Sequence, residues 1–106
     1  MAVDYAALRD LRTFIKRRVS YMRYRVGDEF FQTPISNAEL LESGVVRVSA
    51  SLVPGHAVEI NRVELYNHNG DLWAHQDCAI TIDNVQTGVL YWFDFTVKEK
   101  EGTTSA

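Results

Sequence analysis

Cys78 is the only cysteine in the 106 residues, so no disulfide can close within the chain. Stability must come from a packed core, and a lone thiol fits synthesis in a reducing, cytoplasmic setting. No run of 18 apolar residues is present to span a membrane. The opening Met1-Ala2-Val3-Asp4-Tyr5 has no basic region followed by an apolar run, so no signal peptide is expected. Also missing are a glycine-rich phosphate loop, a Gly-x-Ser-x-Gly elbow, a His-Glu-x-x-His helix and any recognisable carboxylate pair. Without these, the chain is expected to be non-enzymatic and to carry no cofactor.

One segment still invites a chemical reading. His75-Gln76-Asp77-Cys78 would set His75 and Asp77 on one face of a strand and Cys78 on the other. A tetrahedral metal needs about four ligands, and this segment offers at most two on one face, with His56 and His68 in separate turns. Cysteine–histidine catalysis needs an imidazole within reach of sulfur and a third group to orient it, which the spacing does not encode. The expectation is a small buried cysteine beside a surface histidine, with no catalytic, cofactor or metal residues.

What is present describes a small β-rich globule. Hydrophobic residues make up 46% of the chain and aromatics 11%, enough to build one core of large side chains. The expected unit is a single domain over residues 1–98, with 99–106 as a disordered tail. Charge is divided unevenly. Residues 1–25 hold seven bases against Asp4 and Asp10, a balance of +5, while the remaining 81 residues balance at -8. A basic N-terminal element is expected to lie against an acidic body, in the same molecule or a neighbouring copy.

Leu8, Leu11 and Ile15 recur at helical spacing, so residues 4–18 read as an amphipathic helix capped by Asp4, with Lys16-Arg17-Arg18 at its negative end. From Val19 the period becomes two. Strands are expected at 19–26, 30–33, 45–53, 58–66, 72–75, 79–82 and 89–98, with turns at Gly27-Asp28, Pro54-Gly55, Asn67-His68-Asn69-Gly70, Asp83-Asn84 and Thr87-Gly88. An apolar phase slip between Ile60 and Val63 predicts a bulge at Asn61-Arg62. Ser36-Asn37-Ala38-Glu39 has capping-box spacing and reads as a helical turn or tight loop. The whole is expected to be mainly β: a compact antiparallel sandwich or open barrel of about seven short strands after one helix.

Val89–Lys98 is the expected spine. Its odd positions Val89, Tyr91, Phe93, Phe95 and Val97 are apolar, and burying them is worth on the order of 10 kcal/mol before entropy. Leu90 and Trp92 make one end apolar on its other face too. That end should be covered by the helix, a second sheet or another subunit.

The layout of basic helix, Tyr21-x-x-Tyr24 into Val26-Gly27, Val63–Trp73 and the closing Gly88–Phe95 resembles that of small structural and tail-module proteins of bacteriophages and prophages. The shared motifs are turns and core strands, so the resemblance transfers no site residue. It implies a virion or virion-associated assembly component in several copies, such as an adaptor or fibre-associated protein.

These readings converge on a structural or interaction protein that forms homo-oligomers or binds other virion proteins, through Leu8, Leu11, Ile15, Leu90 and Trp92. Two alternatives stand beside it. Exposed Trp73 and Trp92 would suit a small-ligand or carbohydrate-binding module. Lys16, Arg17, Arg18, Arg23 and Arg25, interleaved with Tyr21 and Tyr24, would suit a polyanion such as nucleic acid.

Overall fold

A computed structural model describes residues 4–83 and 88–96. Expectations for Val97, Lys98, the tail at 99–106 and the turn residues Asn84 and Thr87 lie outside the described residues. Helix α1 (Tyr5–Arg18) runs directly into β1 (Val19–Val26), followed by β2 (Glu29–Pro34), β3 (Asn37–Leu40), β4 (Val46–Leu52), β5 (Val58–Asn67), β6 (Leu72–Ile82) and β7 (Val89–Phe95). All neighbouring strands are antiparallel and form two sheets, ordered β2-β1-β5-β6 and β3-β4-β7.

The sheets pack as a sandwich because alternation along each strand turns one apolar face inward. Met22 and Tyr24 of β1 and Ile60, Val63 and Leu65 of β5 meet Val46, Val48, Ala50 and Leu52 of β4 in one buried cluster. Each of the fully buried aliphatic side chains contributes roughly 1.5–3 kcal/mol. The expected bulge is present, with the β5–β6 register shifting between Ile60 and Arg62.

Three local expectations are corrected. The capping-box segment is not a helical turn but strand β3, which pairs with β4 from Asn37–Ser49 to Leu40–Val46 and buries Ala38. Ladder hydrogen bonds and burial outweigh a local cap that has no apolar helical face behind it. Residues 72–75 and 79–82 are parts of one strand, β6, whose exposed His75, Gln76 and Asp77 are tolerated because the strand lies at a sheet edge. Asp4 occupies the N-cap position with extended backbone but makes no side-chain cap bond; its carbonyl accepts from Ala7 and Leu8 at 3.0 and 3.2 Å.

The helix docks on the body. Ile15 is its one buried residue, Leu11 packs half-buried against the core, and a Cβ placed on Gly44 would stand 3.5 Å from Leu8 Cδ1. Arg12 Nε donates to the Ala38 carbonyl at 3.2 Å and ties the helix to β3. Among the described residues the helix cations make no ion pair, and the one ion pair between the basic segment and the remainder of the chain is Arg23–Glu64.

Candidate functional site

Strand β7 is an edge strand rather than a central spine. It pairs with β4 on one side and with no strand among the described residues on the other. Its odd residues Val89, Tyr91, Phe93 and Phe95 pack half-buried against the core. The even residues face outward, and the helix does not cover them. Leu90 is 57% exposed and Trp92 45%. Val53 continues the patch at 59% exposure, its Cγ2 only 2.8 Å from where a Gly88 Cβ would stand. The patch is closed at its far end by charge. Arg47 donates Nε and Nη2 to the Asp94 carboxylate at 2.9 and 3.0 Å and lies 4.5 Å from the centre of the Trp92 ring. The two donated bonds hold the Asp94 carboxyl below its ordinary range and neutralise the only charge on β7.

The outer face of the four-stranded sheet is chemically different. Register places Phe30, Arg25, Arg62 and Asp77 in one row across it, and Gln32, Arg23, Glu64 and His75 in the next. Glu64 lies at the centre. It is 4% exposed, and it accepts from Arg23 Nε at 2.7 Å, Arg62 Nε at 2.7 Å and the Tyr66 hydroxyl at 2.8 Å. Burial pushes its pKa up, but these donors outweigh burial and hold it at about 2. Tyr66 moves the opposite way, raised by burial and by its bond to the carboxylate. Arg23 is sandwiched between the rings of Phe30, at 3.9 Å, and Tyr66, at 4.9 Å, and Tyr21 stacks on Tyr66 at 5.1 Å.

The residues singled out in the sequence therefore separate. Leu11 and Ile15 are spent on the core and Leu8 is half-buried beside Gly44, because a marginal helix gains most by burying its stripe on β3 and its surroundings. Leu90 and Trp92 remain on the surface. Lys16, Arg17 and Arg18 are exposed at the helix end, whereas Arg23 and Arg25 lie on the outer sheet face. Trp73 is not exposed as the carbohydrate reading required: it is half-buried between Phe14 at 6.4 Å and Phe95 at 6.2 Å.

His75 and Asp77 are exposed, while Cys78 is half-buried with Sγ 3.6 Å from the Ile60 carbonyl. Burial, then the nearby Asp77, raise the Cys78 pKa, the opposite of what an activated nucleophile needs. Among the described residues no three His, Cys, Asp or Glu side chains converge where a metal ion would sit.

Glu64, Tyr66, Phe30 and Arg62 were missed as a site. Glu64 reads in sequence as a solvated strand carboxylate, and only its register opposite Arg23 reveals otherwise. The available signal was parity: Arg23 and Arg25, and Arg62 and Glu64, each alternate with core residues, which puts both pairs on outer faces. No protein-family model matches the chain, and neither the curated proteins nor the solved structures contain a match to it.

Proposed function

We propose that the chain is a non-enzymatic structural module that assembles with further copies of itself through strand β7. The observation that carries this reading is an edge strand with no partner on one side among the described residues, whose outward face exposes Leu90 and Trp92. Natural edge strands are usually blunted by lysine, proline or inward charges; Val89–Phe95 has only Asp94, already paired with Arg47. The occupant is a second copy because β7 is self-complementary. Antiparallel pairing about Tyr91 sets Leu90 of one copy opposite Trp92 of the other, and Val89 opposite Phe93. The pairs from Val89 to Phe93 are then apolar on both faces, Asp94 falls opposite Gly88 while held by its own Arg47, and a two-fold axis satisfies both edges at once. The three-stranded sheets would join into one continuous sheet. Arg47 holds the Trp92 ring in place, which lowers the entropy lost on docking.

The resemblance to phage and prophage structural proteins supports a virion-associated role for such an assembly, with other virion proteins as further partners. Genes for capsid or tail proteins beside this one would support that role, and a neighbourhood of unrelated metabolic genes would count against it.

Analytical ultracentrifugation at micromolar concentration tests the assembly. The intact protein is expected to sediment as a dimer or larger species. Leu90→Lys with Trp92→Lys should sediment as a folded monomer, with an unchanged circular dichroism spectrum. An intact protein that stays monomeric throughout would sink the proposal.

A further inference from the structure

A second surface is built for a different ligand. Arg25 and Arg62 stand directly opposite each other across the β1–β5 pair, an arrangement of like charges that costs stability in a sheet. Arg62 is compensated by Glu64 and by Asp77, whose Oδ1 accepts from Arg62 Nη1 at 3.2 Å, whereas Arg25 has no carboxylate partner among the described residues. Arg23 adjoins them, and the single buried carboxylate of Glu64 binds only the Nε edges of Arg23 and Arg62. Arg25 donates its Nε to Asn61 at 2.6 Å. Among the described residues, the terminal amino groups of Arg23 and Arg25 have no hydrogen-bond partner in the protein. Phe30, 39% exposed as a residue, flanks these groups, with the Arg23 guanidinium 3.9 Å from its ring centre.

We infer that this outer face of the four-stranded sheet binds single-stranded nucleic acid. Fixed guanidinium forks match phosphate oxygens, and Phe30 offers a ring on which a base can stack. An acidic peptide would use the arginines alone, whereas a base can also stack against the exposed part of the Phe30 ring that Arg23 leaves uncovered, which favours the single strand. The basic track continues along β1, about 20 Å from Arg25 to Val19 at the rise of an extended strand, to exposed Arg17 and Arg18 at the end of α1. The acidic balance of the remaining chain repels a polyanion at long range, so binding should be weak and strongly dependent on salt.

Fluorescence polarisation with labelled oligo-dT and oligo-U at low salt tests the inference. Binding should weaken with added salt at a log–log slope of about -2, as expected for roughly three phosphates. Arg25→Ala should reduce that slope, and Phe30→Leu should weaken binding about fivefold or more, both with unchanged thermal midpoints. Arg62 is left intact because it also holds Glu64. Absence of salt-sensitive binding overturns the inference. So does equal affinity for duplex or polyglutamate with no dependence on Phe30, or loss of binding only when Lys16, Arg17 and Arg18 are replaced.

Discussion

Arg23 donates its Nε to a Glu64 carboxylate that is almost wholly buried, at 2.7 Å and across 41 residues of sequence. Arg62 and Tyr66 complete the shell, and no buried side-chain nitrogen or oxygen among the described residues lacks a partner. A buried carboxylate with three donors does not add much net stability, but removing its charge strands two guanidinium groups beside it. Glu64→Gln is therefore expected to lower unfolding free energy at neutral pH by about 2–3 kcal/mol, measured by urea denaturation.

The same carboxylate sets a pH dependence. Its folded pKa of about 2 lies below the ordinary 4.5, so its ionised form stabilises the fold above 4.5. That stability is lost as pH falls from 4.5 through about 2. Partial exposure of Arg23 screens the interaction, which leaves about 2–3 kcal/mol at stake. Urea midpoints measured across this range should fall in the intact protein and stay much flatter in Glu64→Gln. Parallel profiles would show that Glu64 is not the titrating group.

Helix and body should separate at one residue. Ile15 is buried while its neighbour Phe14 is 52% exposed, stacked at 6.4 Å on Trp73. Ile15→Ala is expected to cost about 2–4 kcal/mol and to loosen the helix, seen as lost helical ellipticity before the β signal melts. Phe14→Ala should leave stability nearly unchanged and shift the emission of Trp73. Equal costs for the two would mean that the helix is held by its whole surface.

Most of the sandwich was legible because alternation reports which face of a strand is apolar. Val46, Val48, Ala50 and Leu52 announce β4 without help, and the phase slip after Ile60 announces the bulge. What alternation does not carry is adjacency. Nothing in Val89–Phe95 says that it lies at an edge; its apolar content suggests a covered strand, and the difference is decided by which strands find partners elsewhere. Glu64 was hidden for the same reason, since its partner Arg23 is chosen by the β1–β5 register. Ser36–Glu39 misled because a local capping pattern costs less to abandon than the ladder with β4 is worth to form.

The β5–β6 connection rests on one buried amide. Asn67 Oδ1 accepts from the backbone N–H groups of Asn69 and Asp71, at 2.9 and 2.8 Å, while Gly70 takes a φ of +81° that closes the turn. Asn67→Ala leaves both donors without this acceptor and should cost about 1–2 kcal/mol. Asn67→Asp keeps the acceptor and should recover part of the loss; its failure to do so would shift the role to the Nδ2 contact with Asp71.

Gly88 and Val53 offer a test of packing beside the proposed assembly surface. A Cβ on Gly88 would stand 2.8 Å from Val53 Cγ2 and 3.1 Å from the Leu52 carbonyl oxygen. Gly88→Ala must displace both, at an expected cost of about 1–3 kcal/mol. The exposed Val53 methyl can yield, but the Leu52 carbonyl belongs to β4, which pairs with β7 at Leu52–Val89. Val53→Ala in the Gly88→Ala background should therefore recover only the side-chain part of the penalty. A double-mutant cycle by thermal or urea denaturation reads the coupling directly. Full recovery would show that the strand backbone is free to shift there, and a backbone that shifts at Gly88 would not hold the Leu90 and Trp92 side chains in one register for a second copy.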